Sequence, residues 1–227
     1  MGSTSSKITE KPRFAYNLKI TPVSISRRIK DNGTSTLPRI KATTVFDLSS
    51  MQYFIQDSPD VLSGAIVGSK LKWNRYSELT ASAYGAHTLT IAVPSRLRYK
   101  RTAEKPLSGM RVGVKDVLDL KGVRTGNGNR AFSKCYPPAN HSADFIDVMI
   151  KQGAIFVGKT KTVEFAGEQE VVADWVDYSY PFNPRGDQYL GATGSSTGSA
   201  AAIATYPWLD VALGTDGKLT FLQTCIC

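Results

Sequence analysis

Two periods of hydrophobicity meet between residues 110 and 157. Met110-Arg-Val-Gly-Val114 is a short apolar run that suits a strand covered on both faces, and it ends at Lys115-Asp116. From Ser142 to Gln152 the apolar residues Phe145, Ile146, Val148, Met149 and Ile150 fall at helical spacing. Ser142 is placed to cap that helix, Asp144 suits its dipole and Gly153 ends it. Ala154-Ile-Phe-Val157 is a second strand of the buried type. Strand, helix and strand joined by tight turns predict a βαβ unit in an α/β layered domain. The Ala-rich stretch Ser199 to Tyr206 predicts another helix, which starts directly after the glycine-serine loop GATGSSTGSA at 191–200.

Upstream the pattern is different. Thr88 to Val93 reads as a strand ended by Pro94, and the charged stretch KRTAEKPLSG at 100–109, broken by Pro106 and Gly109, predicts a domain boundary. The expected organisation is a basic, disordered leader over 1–40, a small separate module over 41–104, and an α/β domain over 105–227.

Composition adds that the chain folds: 41% of residues are hydrophobic and 21% charged, which excludes disorder throughout. The net charge of +9 suggests nucleic acid until it is localised. Residues 1–41 hold nine Lys or Arg against Glu10 and Asp31, which leaves only +2 for the remaining chain. A solvated basic tail is the expectation, and a nucleic-acid partner lacks aromatic interleaving or a binding motif. Met1-Gly2-Ser3-Thr4-Ser5-Ser6 fits the pattern for myristoylation at Gly2, the one feature that points to a membrane. No apolar run is long enough to span a bilayer. Cys135, Cys225 and Cys227 form no disulfide framework and no Cys-x-x-Cys pair, so a reducing, cytoplasmic setting is expected.

The loop at 191–200 admits several chemistries. A phosphate loop requires a lysine after its last glycine, and none follows Gly198; a dinucleotide fingerprint is absent too. Gly194-Ser195-Ser196-Thr197-Gly198 matches the nucleophile-elbow pattern, with Ser196 at the nucleophile position. An elbow hydrolase, however, needs a histidine after the serine, whereas His87 and His141 both precede it. A serine hydrolase without histidine can use a lysine whose pKa is lowered by burial, and Lys115, at the end of an apolar strand, is the candidate base.

These residues stand within a longer run of blocks: Leu107-Ser-Gly-Met-Arg-Val-Gly-Val-Lys-Asp116, Gly122-Val-Arg-Thr-Gly126, Gly153-Ala-Ile-Phe-Val-Gly-Lys-Thr160, Glu164-Phe-Ala166, Thr193-Gly-Ser-Ser-Thr-Gly-Ser-Ala-Ala-Ala202 and Leu213-Gly-Thr-Asp216. In this order they resemble the amidase signature family. Asp174-Trp-Val-Asp-Tyr178, Pro181-Phe-Asn-Pro-Arg-Gly-Asp187 and the region 41–104 resemble a fungal branch that carries an extra N-terminal module.

The resemblance implies a mixed sheet flanked by helices and an amide-hydrolysing triad of serine, cis-serine and lysine, with a small-molecule amide as substrate and no metal or organic cofactor. Lys115 matches the family's lysine and Ser195 its bridging cis-serine. Gly194, Ser196 and Asp216 are then loop-forming residues, with Ser196 or Thr197 capping the helix. Lys159 and Lys161 are expected as solvated strand-end charges. After Gly-Thr-Asp the family continues with one residue, two glycines and the nucleophilic serine, but this chain has Gly217-Lys218-Leu219-Thr220. Thr220 holds the counted position of the nucleophile, and Lys218 and Leu219 crowd a loop whose N–H groups must approach substrate. Gly-Lys-Leu can be encoded across a common splice-donor sequence, so residues 217–227 are expected to be read-through and the domain to be cut before its nucleophile block. An inactive and poorly soluble chain follows from that expectation. The alternative is a non-catalytic product that acts as a binding fragment.

Overall fold

A computed structural model describes residues 40–41, 45–47, 52–68, 75–80, 83–84, 88–167, 175, 178–187 and 189–216. The leader, Gly2, His87, Asp174, Cys225, Cys227 and the segment with Lys218, Leu219 and Thr220 lie outside the described residues.

The strands are β1 (Ile40–Lys41), β2 (Val45–Asp47), β3 (Gln52–Gln56), β4 (Leu62–Gly68), β5 (Tyr76–Glu78), β6 (Ala83–Tyr84), β7 (Thr90–Pro94), β8 (Arg111–Lys115), β9 (Ile155–Thr160) and β10 (Val211–Leu213). Among the described residues three α-helices accompany them: α1 (Arg130–Cys135), α2 (Asp144–Lys151) and α3 (Thr197–Thr205). The main sheet is mixed, in the order β10-β8-β9-β4-β5, with β10, β8 and β9 parallel and β4 antiparallel to both its neighbours. The βαβ unit expected from the sequence is therefore β8-α2-β9. Beside it stand an antiparallel sheet β2-β3-β7 and the short pair β1-β6.

Each face of the main sheet carries a core. On one, Val112 and Val114 of β8 and Phe156 of β9 pack against Ile146, Met149 and Ile150 of α2. On the other, Val157 packs with Ala201 and Ala202 of α3, with Tyr206, Trp208 and Leu209, and with Val61, Ile91 and Val93. Alternation along β8 therefore sends Val112 and Val114 to one face and Gly113 and Lys115 to the other.

Two expectations are corrected. The segment 41–104 is not a separate unit, because β4 pairs with β9 inside the main sheet and Val61, Ile91 and Val93 share the α3-side core. The buried Arg111 guanidinium also bonds the Pro94 and Trp208 carbonyls, at 2.6–3.1 Å, which ties the small sheet to the large one. The N-cap of α2 is Ala143, not Ser142: the Ser142 hydroxyl instead accepts the Lys121 N–H at 3.0 Å. On that helix Ile146, Met149 and Ile150 are buried, whereas Phe145 and Val148 face solvent. Gly153 ends the turn with φ +98, as a helix-terminating glycine does. No helix of the described residues is long and apolar enough to cross a membrane.

Candidate active site

The end of β8 delivers Lys115 to the α3 side of the sheet, where the side chain is fully buried. Its Nζ lies 2.6 Å from Ser195 Oγ and 3.1 Å from the Thr215 carbonyl. Burial pulls the amine's pKa down from 10.5 to about 8, and the nearby Asp216 carboxylate partly opposes that shift. Ser195 is half-buried and follows a cis Gly194–Ser195 peptide, while Asp216 is exposed. Thus a buried amine touches the hydroxyl of a half-buried serine.

The neighbours of Ser195 set its position through backbone contacts. Its carbonyl accepts the Val163 N–H at 3.2 Å, from the segment after β9. The N–H of Gly198, in the first turn of α3, bonds the Lys161 carbonyl at 2.9 Å. A Cβ on Gly198 would lie 2.4 Å from Lys161 N and 2.6 Å from Val61 O, so only glycine lets the helix approach this closely. Thr160 Oγ1 meets Ser199 Oγ at 2.6 Å, and Ser199 donates on to the Leu213 carbonyl at 2.9 Å, which joins β9, α3 and β10.

Ser196 departs from the capping role. It holds the N-cap position of α3 but makes no side-chain cap bond. Its hydroxyl instead accepts the Thr215 N–H and donates to the Thr215 carbonyl, both at 3.2 Å. Ser196 therefore fixes the peptide whose carbonyl also receives the Lys115 amine. The sequence pattern gives Ser196 a loop position but no sign of this partner, which follows α3 and β10 in the chain.

Lys159 and Lys161 are not solvated strand-end charges. Lys159 is 1% exposed, with Nζ 3.4 Å from Asp116 Oδ1, and Lys161 is 2% exposed, with Nζ 2.8 Å from Asp60 Oδ2. Desolvation lowers both lysine pKa values, and the paired carboxylates oppose it. Lys115 and its chain neighbour Asp116 hold different partners: Lys115 bonds Ser195 and Thr215, whereas Asp116 faces Lys159. Among the described residues no group of three His, Cys, Asp or Glu is placed to hold a metal ion.

A buried lysine hydrogen-bonded to a loop serine thus stands where β8 ends. Residues 79–218 match the profile of the Amidase family, and the chain belongs to that family. Among its relatives, a glutamyl-tRNA(Gln) amidotransferase subunit of Lachnoclostridium phytofermentans is 27% identical over 198 residues, covering 87% of this chain and 35% of the relative. The corresponding protein from Dehalococcoides mccartyi is 38% identical over 101 residues, or 44% of this chain and 20% of the relative. Chloroplastic outer envelope protein 64 of Arabidopsis thaliana is 32% identical over 114 residues, or 50% and 19%. The chain spans between about a fifth and about a third of the length of these relatives. The crystal structure of an amidase family protein from Bacillus anthracis aligns over 51% of this chain and 23% of its own, with 25% identity and a TM-score of 0.43.

Proposed function

We propose that this chain carries the base half of an amide-hydrolysing site, with Lys115 as the base and Ser195 as the proton bridge. The neutral Lys115 amine accepts the Ser195 proton while Ser195 takes the proton of a nucleophilic hydroxyl; the return path delivers it to the leaving amine. The observation that carries this reading is the 2.6 Å contact between the buried Lys115 Nζ and Ser195 Oγ. The lowered pKa supports it. With a pKa of about 8, about a tenth of the amine is neutral at pH 7, roughly 300-fold more than for a solvated lysine. Membership of the Amidase family supports a small-molecule amide as the substrate class.

Thr220 stands at the counted nucleophile position behind Lys218 and Leu219, and on that sequence we read this chain by itself as inactive toward amides. The same three residues favour the second reading, a product that binds rather than hydrolyses.

An NMR titration of lysine 13Cε and 15Nζ, with Lys115 assigned by its loss in Lys115→Met, tests the base. A midpoint near 8 that moves in Ser195→Ala supports the reading, and a midpoint at the ordinary lysine value overturns it. Ammonia release from small amides is the companion assay: no turnover is expected of the 227-residue chain, any turnover overturns the reading of inactivity, and turnover that survives Lys115→Met assigns the chemistry to other residues.

A further inference from the structure

The side of β8 opposite Lys115 holds a polar network in a cleft that Ser63, Asp116, Gly126 and Lys159 help to line. Asp116 Oδ1 accepts the Gly126 N–H at 3.0 Å and faces Lys159 Nζ at 3.4 Å, and Oδ2 accepts the Ser63 hydroxyl at 2.7 Å. Lys159 Nζ also donates to the Leu118 carbonyl and to Thr125 Oγ1, the latter at 3.2 Å. Thr125 donates its own proton to Asp119 Oδ1 at 2.6 Å. Lys159 reaches three acceptors and Asp116 three donors, and both side chains are buried, so the two charges are held by the protein's own groups.

Its backbone links explain what it holds. The Asp116 N–H extends the ladder to the Thr160 carbonyl at 3.0 Å, and its carbonyl accepts the Asn127 N–H at 2.8 Å. The Lys115 carbonyl accepts the Leu118 N–H at 3.0 Å. A Cβ on Gly126 would sit 2.6 Å from Asp116 Oδ2, so that glycine leaves room for the carboxylate. One residue thereby joins β4, β8, β9 and the loop from Leu118 to Asn127, all at the point where β8 ends in Lys115.

We infer that Asp116 and Lys159 form a positioning pair that fixes the end of β8 so that the Lys115 amine stays buried against Ser195. The inference rests on the proposed role of Lys115 as base. The pair acts through the backbone, from the opposite face of the sheet. The groups that face Lys115 itself are the Ser195 hydroxyl, the Thr215 carbonyl and the Asp216 carboxylate. Direct electrostatics and positioning therefore give opposite signs. Removing the Asp116 charge alone leaves Lys159 uncompensated and pushes the Lys115 midpoint down, whereas loosening the strand end admits water and pushes it up.

The test is the same lysine NMR titration on the 227-residue chain carrying Asp116→Asn, Ser63→Ala, or the double change Asp116→Leu with Lys159→Met. The double change removes both charges together and keeps the site filled if the single variant fails to fold. The expected result is a Lys115 midpoint at least one unit above the unaltered chain in the double variant, a tenfold loss of neutral amine at pH 7, and a smaller rise in Ser63→Ala. A midpoint that stays at the unaltered value in both, even with a lower melting temperature, makes the pair merely structural and overturns the inference. A midpoint at the ordinary lysine value in the unaltered chain instead sinks the reading of Lys115 as base, so the two failures are distinguishable.

Discussion

Replacing Lys115 by Met should make the chain more stable at neutral pH and less stable in alkali. In the folded state the amine has a pKa of about 8 against 10.5 for a free lysine. Below pH 8 both states are protonated and the fold bears the full cost of burying the charge. Between 8 and 10.5 the unfolded chain binds the extra proton, so stability rises with pH and the cost disappears. A shift of that size has a ceiling of about 3 kcal/mol, which solvent screening at the site mouth trims to about 2–3 kcal/mol. Met removes this cost but also the contacts to Ser195 and Thr215, worth about 1 kcal/mol; the Thr215 carbonyl keeps its bond from Ser196. The Met variant should therefore be about 1–2 kcal/mol more stable at pH 7 and about 1 kcal/mol less stable at pH 10.5. Urea unfolding of both proteins across that range measures the difference, and titration of Lys159 and Lys161 cancels because both chains contain them. A difference that is constant with pH would refute the claim that Lys115 is held with a depressed pKa.

Gly198→Ala places a methyl group against the backbone of Lys161 and Val61, atoms that cannot rotate away, and should cost about 3 kcal/mol or more. At that cost the melting temperature should fall by roughly 6–12 °C; a fall of under about 2 °C in a thermal scan would contradict the packing argument. Ser196→Ala removes both bonds to Thr215 and should cost about 1–2 kcal/mol. Hydrogen exchange should quicken at Thr215 and Asp216 but not in the first turn of α3, since Ser196 makes no side-chain cap bond there; the reverse pattern would restore the capping role. Phe145→Ser changes an exposed residue of α2 and should alter stability by no more than about 0.5 kcal/mol in urea unfolding, whereas a loss of several kcal/mol would place Phe145 in the core.

Local pattern was enough for the elements around the site. Val112 and Val114 mark β8, helical spacing marks α2, and the Gly-Ser loop marks the start of α3, because strand and helix periods are written in neighbouring residues. The family was legible for the same reason, since its blocks are short and ordered along the chain. Which arc of α2 is buried was not: Phe145 and Val148 share its periodicity, but the sheet covers only Ile146, Met149 and Ile150. The independence of 41–104 also followed from local pattern, until the pairing of β4 with β9 joined it to the main sheet.

The sequence by itself determined that Lys115 ends a buried strand and that Ser195 sits in a tight loop before a helix, because each follows from adjacent residues. Only the tertiary structure decided that the two meet, 80 positions apart in the chain. It likewise decided that Ser196 binds Thr215 rather than its own helix, and that Lys159 and Lys161 are buried beside Asp116 and Asp60. A lysine's burial and charge state depend on which distant carboxylate, carbonyl or hydroxyl folds against it, and neither hydrophobic period nor local spacing encodes that partner.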